Sequence, residues 1–295
     1  MKIGFFGDGP WSHNAFNLLL KEKDYEISFV CVRNDPGDEV LIGLAKRNKI
    51  EVIQHENINS SKFISKLQSF KCDIFVSLAF NQIFKKEVIS IPLHGAINCH
   101  AGKLPRYRGR NILNWALIND EKEFGITVHY IDEGIDTGDI ILQKTFPITD
   151  SDCYKTLLKT AYMECGPIVM EALRSISSRK EMRVKQSDIS NKSFYCVGRK
   201  QGDELIDWNQ SSREIFNFIR SITDPGPNAR GILNNKEMQI IKSVYDENRP
   251  LYRGIIGSVV GIESDGIIVK TNDSDLKIIE YIYKGKIRIG DRFER

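Results

Sequence analysis

The sequence predicts an α/β protein: an open, mostly parallel, Rossmann-like sheet with helices on both faces, followed by a small all-β domain. In the first 180 residues, continuous apolar segments of strand length alternate with segments of helix length, which is typical of βαβ units. Beyond about residue 225, short runs of alternating hydrophobicity are separated by Gly, Asp and Asn, which favours a compact barrel. The 295 residues, 41% of them hydrophobic and 27% charged, have the composition of a globular protein and not of a disordered one.

The first four βα repeats follow directly from the apolar runs. Strands are predicted over residues 3–6, 27–32, 52–53 and 74–78, and helices over residues 40–47 and 63–70. The first strand ends in the turn Gly7-Asp8-Gly9-Pro10, and a helical pattern follows it. This turn resembles the start of a dinucleotide fingerprint, but Ser12 stands where the third glycine is required. A tight strand-to-helix turn is the simpler interpretation, and its helix N-terminus could still face a phosphate.

The second half contains two more strands, a long helix, a polar segment and the all-β region. Strands are predicted over residues 126–130 and 140–146, and a helix over residues 152–175. A short helix over residues 211–221 carries a capping box formed by Ser211 and Glu214. The four predicted strands of the barrel are residues 238–244, 255–262, 266–271 and 276–283. We therefore expect one domain over residues 1–180, a linker over 181–202 and a second domain over 203–295.

Charge and cysteine usage exclude several classes of protein. The net charge of +3 is too small to indicate a nucleic-acid-binding protein by composition. The six cysteines form no C-x-x-C pair, which argues against a zinc ribbon or a disulfide framework and favours a reducing compartment. We find neither a secretion signal nor an apolar stretch of membrane-spanning length, and we expect a cytoplasmic protein with no membrane partner.

Polar residues end the predicted strand Ala96-Ile97-Asn98-Cys99-His100. Because side chains alternate along a strand, Asn98 and His100 share one face while Cys99 points to the other. This alternation argues against Cys99 as a nucleophile beside His100, and a buried structural cysteine is the better interpretation.

An acidic loop follows the predicted strand over residues 126–130. Its sequence Asp132-Glu133-Gly134-Ile135-Asp136-Thr137-Gly138-Asp139 could be a solvated hairpin, and it lacks the spacing of a calcium loop. His94, His100 and His129 lack a zinc-binding spacing, so no metal site is expected, and His129 is expected to have a core or cross-strand role. A base, a carboxylate that orients it and an amide donor together suit acyl transfer.

Three separated motifs resemble the formyltransferases that use 10-formyltetrahydrofolate. Their signature N-x-H-x-S-L-L-P-x-x-R-G, followed across a gap by D-x-G, is similar to residues 98–109 and 136–138 here, and residues 114–119 and 125–129 extend the likeness. Residues 203–227 and 257–269 are similar to the C-terminal domain of this family, which is an OB-like barrel in relatives. The resemblance covers nearly the whole chain.

The resemblance implies specific roles for residues of this chain. The catalytic set would be Asn98, His100 and Asp136. Contacts to 10-formyltetrahydrofolate, the implied co-substrate, would come from Gln82, Ile83, Phe84, Arg110, Asp132, Glu133, Gly134 and Ile135. One departure is visible: Gly102 stands where the family has serine, which points to an altered acceptor pocket.

The amine that receives the formyl group has two main candidates within the family, a nucleotide-linked 3-amino or 4-amino deoxysugar and initiator methionyl-tRNA. Residues 31–40, where tRNA-acting members carry a basic insertion, are short and acidic, and residues 200–295 contain 15 Lys plus Arg and 15 Asp plus Glu. RNA binding requires an excess of cations, so we favour the nucleotide sugar, expect no nucleic-acid partner and expect a role in surface-glycan or glycoprotein sugar synthesis. A folate-binding module without turnover is the third possibility.

Candidate contacts to the acceptor lie near the first turn and within the altered motif. The aromatic rings there could stack on a base, or could equally serve in ordinary packing. The cations could bind a diphosphate, or could equally be solvated surface charges. A homodimer through the C-terminal domain is also compatible with the sequence. The acceptor-binding candidates are Gly9, Trp11, Lys103, Arg106, Tyr107 and Arg108.

Overall fold

Twenty-two helices and strands are found in the computed structural model, which describes residues 1–294. In chain order, the first half contains β1 (Lys2–Gly7), α1 (Gly9–Leu19), β2 (Glu26–Cys31), α2 (Glu39–Arg47), β3 (Glu51–Ile53), α3 (Ser61–Ser69), β4 (Ile74–Leu78), α4 (Lys86–Ile89), β5 (Ala96–His100), β6 (Arg108–Gly109), α5 (Ile112–Ile118), β7 (Glu123–Tyr130) and β8 (Ile140–Pro147). The second half contains α6 (Tyr154–Ser177), α7 (Gln186–Ile189), β9 (Tyr195–Cys196), α8 (Ser212–Ser221), β10 (Ala229–Leu233), β11 (Lys236–Val244), β12 (Val259–Glu263), β13 (Gly266–Lys270) and β14 (Asp275–Ile282).

The predicted Rossmann-like sheet is confirmed. Seven strands pair in the order β3-β2-β1-β4-β5-β7-β8. The pairs from β3 to β5 are parallel, whereas β5 and β7 are antiparallel. The strand order reverses between β1 and β4, and ligands of such sheets bind beyond the carboxyl ends of strands near this point. His100, the last residue of β5, lies one strand away from it.

Apolar side chains on both faces explain why these strands are buried. On one face, Phe6, Phe29 and Phe75 pack edge to face with centroids 5.3–5.9 Å apart, together with Phe63 and Leu67 of α3. On the other face, Phe5 packs against Phe16 of α1 at 5.7 Å. A strand buried on both faces has a continuous apolar sequence, which is the signal that predicted β4 with its observed bounds.

The C-terminal sheet is antiparallel, as predicted for a small barrel-like domain. Its five strands pair in the order β10-β11-β14-β13-β12 around a core that includes the fully buried Trp208. Isolated bridges join Phe293 to Leu233 and Arg292 to Ser258, so residues 292–293 connect the two ends of the sheet. The capping box of α8 is confirmed, since the Ser211 and Glu214 side chains each bond the backbone N–H of the other residue.

Two compact units emerge from the contacts within the chain. The first comprises residues 1–112, 124–146 and 159–196, and the second comprises residues 113–123, 147–158 and 197–294. The segment expected to be a linker contains regular structure, because β9 pairs with β6 and Val184 bridges to Ile140. Gln186 in α7 is only 4% exposed. Residues 184–196 are therefore an integral part of the first unit.

Candidate active site

Strand β5 presents Asn98 and His100 on one face of the sheet, as its alternation predicts. Asn98 lies directly opposite His129 of the antiparallel neighbour β7, and His100 lies opposite Thr127. Cys99 points to the other face, where its Sγ lies 3.9 Å from the Cys165 carbonyl oxygen and the residue is 8% exposed. The expectation that Cys99 is a buried structural cysteine is confirmed.

The acidic loop after β7 brings Asp136 to these strands. Asp136 Oδ2 lies 3.6 Å from His100 Nδ1, and Asp136 Oδ1 lies 3.5 Å from His129 Nε2. The backbone N–H of Gly109 donates to Asp136 Oδ2 at 2.9 Å. Gly109 has φ of 96°, a torsion that L side chains rarely adopt, so glycine suits this donor position. The predicted meeting of Asn98, His100 and Asp136 in one place is present in the structure.

Asp136 is held in its ionised form. Burial by itself would raise the pKa of this carboxyl group. The nearby His100 and His129 and the Gly109 N–H outweigh burial and hold the pKa of Asp136 well below its usual range. At neutral pH the site therefore contains a fixed negative charge between two imidazole rings.

His129 is the site residue that sequence reasoning missed. Its side chain is 3% exposed, Nδ1 lies 2.7 Å from the Tyr130 carbonyl oxygen, and Nε2 lies 3.4 Å from Asn98 Nδ2. A carbonyl oxygen can only accept, so Nδ1 carries a proton, and Nε2 faces both the Asn98 amide and the Asp136 carboxylate. The cross-strand role expected of His129 is therefore present, and its partners are Asn98 and Asp136. The sequence could not reveal these partners, because the register that pairs β7 with β5 is not visible in a single chain of residues.

The second nitrogen of His100 faces the backbone. His100 Nε2 lies 2.7 Å from the Tyr107 carbonyl oxygen, which can only accept, so Nε2 donates in this orientation. The Tyr107 ring is 4% exposed and packs edge to face on Phe194 with centroids 4.8 Å apart. Tyr107 thus contributes its carbonyl oxygen to the site while its ring lies in the interior.

Gln186 is a second residue that the sequence did not reveal. Its Nε2 donates to the carbonyl oxygens of Asp136 at 2.8 Å and Gly138 at 2.9 Å. Its Oε1 accepts from Arg108 Nε at 3.1 Å and from the second guanidinium nitrogen at 2.6 Å. The buried glutamine therefore fixes the course of the acidic loop and engages Arg108, which was predicted to meet the acceptor.

The residues expected to contact the folate differ in exposure. Gln82 bonds the backbone of residues 55 and 58, and Phe84 is 3% exposed with its ring 4.7 Å from that of Phe6. Ile83 and Ile135 are 55% and 48% exposed. Arg110, Glu133 and Gly134 are also exposed, and Asp132 Oδ1 accepts from Gly134 N and Thr137 Oγ1 within its own loop. Ile83, Ile135 and the loop backbone can therefore meet a ligand, whereas the Phe84 ring belongs to the core.

The turn between β1 and α1 already holds a carboxylate. Asp38 Oδ2 accepts from the Gly9 N–H and lies 2.6 Å from His13 Nε2, while Asp38 Oδ1 caps α2 through Leu41 N. The Gly9 N–H, at the helix N-terminus that could face a phosphate, thus donates to a carboxylate of the chain itself. Trp11 packs edge to face on Tyr162 with centroids 4.7 Å apart.

Lys103 and Arg106, also predicted to contact the acceptor, are half-buried and exposed respectively. Their roles, like those of Gly9 and Trp11, stay predictions. Within residues 1–294, no set of three His, Cys, Asp or Glu side chains is placed to hold a metal ion. Over the same residues, no helix has both the length and the apolar character needed to cross a membrane.

The arrangement contains the parts required for nucleophilic attack on a carbonyl carbon. An imidazole beside a fixed carboxylate can take a proton, and an oriented amide N–H can donate to an oxygen that develops negative charge. All of these groups belong to the first unit of the chain.

Known protein families match the chain along almost its whole length. Residues 1–172 match the formyl transferase family, and residues 199–291 match the formyl transferase C-terminal domain. A methionyl-tRNA formyltransferase from Halothermothrix orenii is 36% identical over 99% of this chain and 96% of its own length. The corresponding protein from Fusobacterium nucleatum is 32% identical over 94% of this chain and 91% of its own length.

Solved structures of sugar formyltransferases share the fold. WlaRD, a sugar 3N-formyl transferase crystallised in the presence of dTDP and 5-N-formyl-THF, is 26% identical, with a TM-score of 0.72 over 96% of this chain and 98% of its own. An N-formyltransferase from Helicobacter canadensis is 24% identical, with a TM-score of 0.69 over 96% of this chain and its own full length.

Proposed function

The chain belongs to the formyl transferase family, and from that premise we propose that it transfers the formyl group of 10-formyltetrahydrofolate to the primary amine of a nucleotide-linked amino sugar. The observation that carries the transfer chemistry is the meeting of Asn98, His100 and Asp136 around one point of the sheet. Such sugars are components of surface glycans and glycosylated proteins, which would be the destination of the product.

His100 is the base of the proposed reaction. The amine of the acceptor is largely protonated at neutral pH, so it first releases one proton to solvent and then loses a second to His100 as its nitrogen bonds to the formyl carbon. For His100 Nε2 to accept that proton, its hydrogen bond to the Tyr107 carbonyl oxygen must open and Nδ1–H must face Asp136. The ionised Asp136 then stabilises the imidazolium that forms. The same proton is available to the leaving nitrogen when the bond to the formyl carbon breaks.

Asn98 is the donor to the formyl oxygen. Its Nδ2 lies 3.4 Å from His129 Nε2, and an amide nitrogen has two N–H groups, so at least one can donate to an oxygen that gains negative charge during attack. His129 itself is anchored by its Nδ1–H, which donates to the Tyr130 carbonyl oxygen, so it gives the Asn98 amide a fixed neighbour.

The folate supplies the activated one-carbon unit, and the chain offers surfaces that fit such a ligand. Ile83 and Ile135 are exposed apolar side chains on two loops that the family resemblance assigns to folate contacts. Exposed apolar side chains are suited to a flat heteroaromatic ring. The solved relative WlaRD contains 5-N-formyl-THF, which supports the same class of co-substrate here.

Charge supports the sugar as acceptor over tRNA. The connection between β2 and α2, residues 32–38, has Arg33 as its single cation, and Arg33 pairs with Asp8 at 3.3 Å. In the second unit, at least six cations are engaged in ion pairs with Asp or Glu: Lys155, Arg213, Arg220, Arg230, Arg249 and Lys277. RNA binding depends on cations that neutralise phosphates, and these cations already have carboxylate partners.

Methionyl-tRNA formylation is the second candidate function. It is favoured by the 36% identity to the Halothermothrix orenii enzyme over 96% of that protein's length. Both acceptors present a primary amine to the same base, so the catalytic site alone does not separate them. The separation must come from surfaces outside Asn98, His100 and Asp136.

One competition experiment distinguishes the two functions. The protein is incubated with 10-formyltetrahydrofolate, a panel of nucleotide-linked 3-amino and 4-amino deoxysugars, and charged initiator tRNA, and products are identified by the mass of one formyl group. We expect a formylated sugar, no formylated tRNA, and almost no dependence of kcat/KM on salt. The variant His100→Asn is the control for turnover at this site. Formylated tRNA with every sugar unchanged would overturn the proposal.

A further inference from the structure

Position 102 leaves no room for a side chain. Gly102 is buried, and a Cβ atom there would lie 2.5 Å from the Tyr107 carbonyl oxygen, 2.7 Å from His100 Cδ2, and closer still to His100 Nε2. Separations below 3.0 Å are essentially never found for Cβ atoms, so one of these groups would have to move. The φ of Gly102 is not positive, so this position requires glycine for space and not for its torsion angles.

The backbone on both sides of this space is fixed. The Gly102 carbonyl oxygen accepts from Thr127 Oγ1 at 2.7 Å, and the Leu104 carbonyl oxygen accepts from Gln143 Nε2 at 2.9 Å. The Tyr107 ring is buried against Phe194, which holds the other end of the segment. The imidazole of His100 is therefore the group with the most freedom to yield to a side chain at position 102.

We propose that Gly102 is a positioning residue that sets the orientation of the His100 imidazole. Because Gly102 has no side chain, Nε2 of His100 can approach the Tyr107 carbonyl oxygen while Nδ1 faces Asp136. The resting ring is thus held by the Nε2 hydrogen bond with Nδ1 3.6 Å from Asp136 Oδ2, and the proposed transfer step requires only that the Nε2 hydrogen bond opens. This inference rests on the proposed role of His100 as the base.

The position is informative because Gly102 replaces a serine of the family motif. A serine here would place its Cβ against the His100 ring and the Tyr107 carbonyl oxygen, so this backbone arrangement and a hydroxyl side chain exclude each other. The backbone of Gly102 and the Tyr107 carbonyl oxygen lie directly beside the His100 ring.

The variant Gly102→Ala tests the proposal with two independent readouts. In steady-state kinetics, we expect kcat to fall about 10²-fold with the KM for folate within about twofold, because displacement of a catalytic group by about 1 Å has an effect of that size. The control is Gly43→Ala in α2, where the nearest atom to a new Cβ is Arg47 at 3.5 Å and no change is expected. A Gly102→Ala protein with wild-type kcat would overturn the proposal.

The second readout is the NMR signal of the His100 ring, assigned by its disappearance in His100→Asn. In the unmodified protein we expect a slowly exchanging Nε2–H resonance with a nuclear Overhauser effect to the Gly102 Hα protons, and its loss in Gly102→Ala. No such effect in the unmodified protein would overturn the proposal, even if the variant does not fold. If no acceptor is formylated, the proposed function fails, whereas the NMR measurement still decides the orientation of His100.

Discussion

Removing the negative charge of Asp136 should reduce turnover about 10³-fold. Asp136→Asn keeps the size of the side chain and an oxygen for the Gly109 N–H, so the loop should retain its course. Asp136 Oδ2 lies 3.6 Å from His100 Nδ1, and two unit charges at that distance attract by about 4.6 kcal/mol at an effective dielectric constant of about 20. The imidazolium of the proposed transition state would lose this attraction, and about 1.4 kcal/mol corresponds to a tenfold change in rate.

The assay is steady-state formyl transfer to the acceptor identified in the competition experiment, with the melting temperature measured in parallel. The matched control is Asp139→Asn, which removes a carboxylate from the same loop without touching Asn98, His100 or His129. We expect wild-type turnover in the control and a KM for folate that is nearly unchanged in both variants. Asp136→Asn with kcat within about tenfold of wild type would refute the electrostatic role of Asp136.

The same contacts support three further predictions. Asn98→Ala should lower kcat by about 10²- to 10³-fold, which is the range for loss of one oxyanion donor. A decrease of less than about tenfold in the single-turnover transfer rate would contradict the role of Asn98 as that donor. The pKa of Asp136 is lower in the folded than in the unfolded protein, so its ionised form stabilises the fold fully above the unfolded pKa of about 3.9, and this stabilisation is lost as the pH falls further. In urea titrations, the difference in unfolding free energy between wild type and Asp136→Asn should therefore narrow below about pH 4. A difference that stays constant down to about pH 3 would contradict this assignment of the Asp136 pKa. Phe84→Ala should destabilise the first unit by about 3–5 kcal/mol, measured by urea unfolding, and should leave the KM for folate unchanged in initial-rate assays. A raised KM in a stable protein would instead place the Phe84 ring in the folate site.

Elements buried on both faces, or marked by local capping, could be predicted from the sequence. β4 has its predicted bounds because all five of its residues are buried. α8 begins at the residue that follows its predicted cap, because a capping box is a local interaction between Ser211 and Glu214. β10 was not predicted, since Arg230 and Gly231 interrupt its apolar alternation and Gly231 lies against the Phe293 ring.

The candidate site was predictable in part. Alternation along β5 placed Asn98 and His100 on one face and Cys99 on the other, because this property depends only on neighbouring residues. His129 and Gln186 were not recognised as partners of the site. Their contacts depend on the register of β7 against β5 and on the path of residues 184–196, both of which are set by residues distant in the chain.

The sequence by itself determined the alternation of strands and helices, the side of β5 that carries the polar residues, and the motifs that indicate formyl transfer. Only the tertiary structure decided that Asp136 lies between two histidines, that the Gly9 N–H donates to the Asp38 carboxylate, and that the lack of a side chain at Gly102 leaves space beside His100. The physical reason is that periodicity and capping act over a few residues. The distances among side chains of separate loops depend on how the whole unit packs.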